Sequence, residues 1–194
     1  MNDRTFRAAD AHRLDDPDRL AWLPPGEVIA HLGRLEGLNI ADIGAGTGFF
    51  ALPFAREAGK KGSVIAVDFQ EEMLARIREK LAADDSPRNL TLVHGEAAAT
   101  GLDSHTCDLV FLANVWHELD DTDAVQREVR RVLRQGGRFA VLDWRADVAP
   151  PPGPPAAHRV PSKDLAGSLQ RGGWDAAPPQ NVGRYHYLEI ASPR

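Results

Sequence analysis

The chain contains a single cysteine, Cys107, so it can form no internal disulfide and no thiolate cage for a metal. A reducing cytoplasm is the setting this predicts. Long apolar runs are also missing: Asp, Glu, Arg or Gly interrupts every hydrophobic stretch well short of the roughly 20 residues that span a bilayer. The opening stretch MNDRTFRAADAHRLDD lacks the apolar core and small-residue cleavage site of an export signal. No basic stripe is present either. The net charge is −5, with arginines scattered among acids, which argues against nucleic acid as a partner.

What is present is enough for one domain: 194 residues with 43% hydrophobic content. Strand and helix patterns alternate through the middle of the chain, which predicts an α/β fold with a parallel sheet covered by helices on both faces. LNIADIG reads as a first strand and FFALPFAREAG as a helix stopped by Gly59. SVIAVDF is a second strand, and EEMLARIREKLAADD places Met73, Leu74, Ile77 and Leu81 on one helical face. NLTLVHG, CDLVFLANV and RFAVLDW supply strands three to five, and DTDAVQREVRRVLRQGG is expected to be helical up to Gly136 and Gly137. APPPGPPAA is a stiff extended connection, either a spacer or a lid. PSKDLAGSLQRGG is then a short helix, residues 174–179 a weak edge strand with two prolines, and GRYHYLEIA a final strand. In that strand Tyr185 and Tyr187 share one face and His186 takes the other. A short amphipathic helix is expected after Pro24-Pro25. The divisions expected are a cap segment at 1–36, a core at 37–144, and the proline loop with the last helix and strands at 145–194.

The most informative segment is Gly44-Ala45-Gly46-Thr47-Gly48, which follows the first strand and opens the first helix. Gly44 and Gly46 let backbone approach a ligand, and Gly48 lets helix pack on strand. About twenty residues on, Asp68 ends the second strand, where a carboxylate can accept both hydroxyls of a ribose. An N-cap on the next helix is the competing role for Asp68. A nicotinamide dinucleotide expects G-x-G-x-x-G, and here the third glycine arrives one residue early.

The segments ADIGAGTGFF, VIAVDFQEEML, VHGEA, LVFLANVWHEL and VLRQGGRFAVLDW together resemble the class I S-adenosylmethionine-dependent methyltransferases, in particular the small ubiquinone/menaquinone-biosynthesis-like (type 11) members. The likeness covers residues 38–144. It implies a doubly wound, Rossmann-like sheet of seven strands, mostly parallel, with GRYHYLEIA as the inserted antiparallel strand. It also implies that S-adenosyl-L-methionine is held by Asp42, Gly44, Ala45 and Gly46 at its amino-acid end and by Asp68 and Phe69 at its ribose and adenine. By the same resemblance Glu96 and Ala97 meet the adenine, and Asn114 lies beside the methionine part. The short cap leaves few specificity determinants, so the acceptor is small, or the site open, or a homodimer completes it.

Methyl transfer from a sulfonium needs little beyond positioning unless the acceptor is a poor nucleophile, when a base is required. His117, directly after strand four, is the candidate base and Trp116 a candidate wall; the alternative for His117 is a helix-start residue bonded to Glu118 or backbone. His158 and Arg159, after the proline run, are candidates to meet the acceptor, Arg159 by pairing an anionic group; solvated loop residues are the competing reading. His117, His158 and His186 sit on separate elements without ligand spacing, so no metal site is expected. Neither an Asn-Pro-Pro-Tyr type motif nor a Pro-Cys pair is present, which disfavours DNA bases as acceptors. The expectation is methyl transfer to a small molecule. The competing classes are an NAD(P)-binding oxidoreductase, disfavoured by the glycine spacing, and a non-catalytic S-adenosylmethionine-binding module.

Overall fold

The five strands read from alternating sequence form where expected: β1 (Asn39–Ile43), β2 (Ser63–Asp68), β3 (Leu90–His94), β4 (Cys107–Ala113) and β5 (Leu133–Trp144), in a computed structural model that describes residues 5–148 and 152–194. Residues 149–151 of the proline run lie outside the described residues. Neighbouring strands among these five pair in parallel. β8 (His186–Pro193) then pairs antiparallel with β5, and β6 (Trp174–Ala176) with β8. The order across the sheet is β3-β2-β1-β4-β5-β8-β6. The last strand in sequence but one across the sheet is therefore the inserted antiparallel one.

An eighth strand, β7 (Gln180–Val182), pairs with β8 off the main path, where seven strands were expected. Its three residues carry no alternation long enough to read. Because β7 and β8 join through a turn with Gly183 at φ +53, Tyr185 sits in that turn and not on the strand face with Tyr187.

Helices α1 (Arg19–Trp22) and α2 (Pro25–Leu32) precede the sheet, with Pro25 in the first turn of α2, where no N–H is missed. α3 (Ala51–Ala58) ends at Gly59 with φ +64, and α4 (Glu71–Leu81) buries Met73, Leu74 and Ile77. α5 (Thr122–Val132) begins at Asp121, whose side chain accepts the Ala124 N–H. It stops at Val132, four residues short of the glycines expected to cap it. Leu133 is already extended, pairing with Cys107, and the register slips between there and the Leu109–Arg138 pair. Gly136, at φ +78, belongs to that irregularity. α6 (Ser162–Arg171) follows the proline loop.

Strand alternation sends side chains to two cores, one on each face. Ile40, Val64, Phe111 and Leu142 pack with Phe54 of α3 and Ile77 of α4. Ala41, Val110, Phe139 and Val141 pack with Val129 of α5 and Leu165 of α6. Helices on both faces of a mostly parallel sheet make the fold doubly wound. Glu189 of β8 is 1% exposed, and neither carboxylate oxygen has a hydrogen-bond partner among the described residues. Burial pushes its pKa up to about 7.

Candidate active site

Strand order reverses between β1 and β4, and such a reversal opens a crevice at the strands' carboxyl ends. A cavity of about 640 Å³ occupies it. The glycine turn forms its floor. Gly44 and Ala45 both donate their N–H to the Val67 carbonyl, at 2.8 and 3.0 Å, turning the chain sharply off β1. Gly44 has φ +73, and a Cβ there would run into Val115 Cγ2. Gly48 has φ +83 and packs against Ile77 of α4, so it serves helix–strand contact as the motif suggests.

Asp68 closes β2 with both oxygens engaged: Oδ2 accepts the Gly46 N–H at 2.8 Å and Oδ1 the Gln70 N–H at 2.9 Å. Each oxygen keeps a second lone pair for a ligand hydroxyl, whereas the competing N-cap role falls to Gln70, which precedes α4 with no side-chain cap. Asp42 is 2% exposed, and its Oδ2 has no hydrogen-bond partner among the described residues. Burial, reinforced by the neighbouring charge of Asp68, raises the pKa of Asp42 to about 7. Asn114, held at φ +58, likewise has a buried Oδ1 with no partner. Both residues line the cavity, as do Phe69, Glu96 and Ala97.

Opposite this cradle lies His117, in the single turn Trp116–Glu118 after β4. Its Nδ1 is 2.8 Å from Asp143 Oδ1 on β5, and its backbone N–H donates to Asp143 Oδ2 at 3.0 Å. Asp143 is fully buried. Glu118, also on the cavity wall, accepts the Phe6 N–H at 3.1 Å, and burial raises its pKa to about 7. Asp143 escaped sequence reasoning, since 26 residues separate it from His117.

The cavity is roofed by the N-terminal segment. Gln70 clasps it, accepting from Ala8 N and donating to the Phe6 carbonyl, each at 2.9 Å. Asp15 anchors it further, to Lys80 Nζ and Thr47 Oγ1, both at 2.6 Å. Trp22 of α1 and Trp144 of β5 complete the wall, with the fully buried His186 stacked on Trp22 and 4.1 Å from Trp144 between ring centroids.

Three residues suggested for the acceptor lie elsewhere. Trp116 is buried in the α5/α6 core, 6.2 Å from the Phe139 ring, because the turn that carries His117 inward points Trp116 outward. Arg159 is 9% exposed and spends its guanidinium on the carbonyls of Pro154, Val148 and Arg145, stapling the proline loop to the end of β5. It is neither a solvated residue nor one available to an acceptor. His158 is half-buried and does not line the cavity. The part of the loop that does reach the wall is Pro152–Pro155, with Gly153 against the face of Trp144. No group of three metal-ligating side chains occurs among the described residues.

A family model described as a methyltransferase domain matches residues 40–137. The chain belongs to that family. The sheet order and the glycine turn place it in the class I S-adenosylmethionine-dependent division of the family. Among relatives, a demethylmenaquinone methyltransferase of Shouchella clausii is 37% identical over 59% of this chain and 48% of its own length. A ubiquinone/menaquinone biosynthesis C-methyltransferase of Idiomarina loihiensis is 31% identical over 60% and 47%. The chain thus spans about half the length of the curated relatives it matches. A SAM-dependent methyltransferase of Aquifex aeolicus superposes with a TM-score of 0.90 at 29% identity, covering 96% of this chain and 98% of that one.

Proposed function

We propose that this chain transfers a methyl group from S-adenosylmethionine to a small-molecule acceptor, with His117 as the base where the acceptor atom must lose a proton. The observation that carries the reading is the meeting, in one cavity, of a nucleoside cradle with unmet hydrogen-bonding capacity and a histidine backed by a buried carboxylate. The cradle fits the cofactor. Asp42 Oδ2 is an orphaned acceptor where an ammonium would supply donors, and Gly44 leaves backbone room that a Cβ would fill. Asp42, Gly44, Ala45 and Gly46 would hold the amino-acid end, Asp68 and Phe69 the ribose and adenine, Glu96 and Ala97 the ring edge, and Asn114 the methionine stem.

The cofactor's contribution is an electrophilic methyl group on a sulfonium. The chain does the rest. The roof of residues 5–22 and the proline wall keep water from the reacting centre, so that an acceptor is held in line rather than solvated. Asp143 fixes the Nδ1 side of His117, and Nε2, with Glu118 Oε1 3.9 Å away, is the nitrogen that would take the acceptor's proton.

Parallel calorimetry with S-adenosylhomocysteine and NAD tests the cofactor. Micromolar binding of the first and none of the second is expected; tighter NAD binding overturns the reading. Screening hydroxyl-bearing small molecules with labelled cofactor then identifies the acceptor.

A further inference from the structure

Arg19 of α1 lies 6% exposed on the cavity wall. Its guanidinium sits 3.9 Å over the Phe49 ring, and Nη1 donates to the Leu14 carbonyl at 3.2 Å. These are its only hydrogen-bonding and ring contacts among the described residues, which leaves Nε and Nη2 without a protein acceptor. Among the described residues no carboxylate comes close enough to pair with it. Asp15 is already committed to Lys80, Thr47 and Arg76. Asp15 and Asp42 act on Arg19 only at longer range, as charges that favour its protonated form. A buried guanidinium without a counter-ion is costly unless something completes it. The other cavity arginine, Arg13, is exposed and carries no such demand.

We infer that Arg19 is a carboxylate receptor, its guanidinium fork taking the carboxylate at the amino-acid end of the cofactor while Asp42 takes the ammonium. The inference rests on the cofactor reading above. A planar fork with two unused donors matches a carboxylate in bidentate geometry. Position selects the cofactor's carboxylate over an acceptor's. Arg19 is bound to Phe49, which follows the glycine turn, and to Leu14, whose Cδ1 would lie 3.1 Å from a Cβ on Gly46. The two opposite charges of an amino acid thus meet two opposite charges of the protein, one from the cap and one from β1. Cap docking and cofactor binding are coupled through this residue.

The test compares S-adenosylhomocysteine with its decarboxylated analogue, which lacks only the carboxylate, on wild-type protein, Arg19→Met and Arg19→Lys by calorimetry. Wild type prefers the intact ligand. Arg19→Met weakens S-adenosylhomocysteine roughly 10- to 100-fold and the analogue less than about threefold. Arg19→Lys, with a cation but no fork, falls between. Equal losses for the two ligands, or no loss for either, overturn the inference. If Arg19→Met does not fold, Arg19→Lys is read by the same rule. Wild-type protein that binds both ligands equally removes the carboxylate receptor and leaves the cofactor reading standing; protein that binds neither removes the cofactor reading itself.

Discussion

His117 Nδ1 lies 2.8 Å from Asp143 Oδ1, and the same carboxylate receives the His117 backbone N–H, so one buried group fixes both the ring and the turn that carries it. If His117 is the base, His117→Ala lowers turnover by about 10²- to 10⁴-fold with S-adenosylhomocysteine affinity nearly unchanged, since a base acts on the transition state. Asp143→Asn lowers turnover over a similar range, about 10²- to 10⁴-fold, by offering the ring the wrong partner. Steady-state kinetics with the identified acceptor decide this. Near wild-type turnover in both variants means that positioning alone carries the reaction and the acceptor is already nucleophilic.

Cofactor affinity should depend on pH through Asp42. Its pKa is raised to about 7 by burial and by Asp68, with the Ala51 N–H and Arg19 working against them. A ligand ammonium favours the ionised form, so binding lowers that pKa and releases a proton below it. S-adenosylhomocysteine binding is therefore expected to tighten from pH 6 to about pH 8 and then level off. Calorimetry at pH 6.5 in buffers of different ionisation enthalpy should show net proton release. Uptake of protons, or flat affinity, removes Asp42 from the ammonium.

Glu189 gives a stability prediction of definite sign. Its pKa in the folded state is about 7, above the ordinary value of 4.5. An acid raised on folding leaves the protein most stable below its unfolded pKa and costs stability as pH rises through its folded pKa. Glu189→Gln should thus stabilise the protein at pH 8, by roughly 2–3 kcal/mol, and change little at pH 4.5. Denaturant unfolding at both pH values measures it. Equal effects at the two values show that folding does not raise the carboxyl's pKa.

Arg159→Ala should cost stability and not acceptor affinity. The guanidinium satisfies the carbonyls of Pro154, Val148 and Arg145, so its loss leaves loop carbonyls unpaired at about 1–3 kcal/mol. The melting temperature should fall while KM for the acceptor holds within about twofold. A large rise in KM with unchanged melting temperature would return Arg159 to the acceptor.

The cofactor side of the cavity was legible because its signal is local. Gly44, Gly46 and Asp68 act through backbone turns and a strand end that sequence spacing dictates. The acceptor side was not, since it is assembled across the sheet. Asp143 reads as one more polar residue in RFAVLDW until β4 and β5 are paired, and only then does it face His117. Arg19 and Arg159 look like ordinary surface arginines in the sequence, yet both are buried by segments that fold back from elsewhere. The two glycines after α5 resembled a helix stop because a bulge and a cap demand the same residue. Trp116 and His117 are adjacent, so sequence could not tell which of them the turn would aim inward.

The four tryptophans fall into two optical classes. Trp116 and Trp174 are sealed in the α5/α6 core, where a ligand cannot reach them. Trp22 and Trp144 sit 5.5 Å apart at the cavity wall, sharing His186 as a neighbour. Burial holds the pKa of that imidazole down at about 3, so the ring stays neutral across the working range and its effect on their emission is constant. At fixed pH a change in intrinsic fluorescence on ligand titration therefore reports on the site and not on this ring's protonation, and a Trp174→Phe variant should darken the background without dimming the signal.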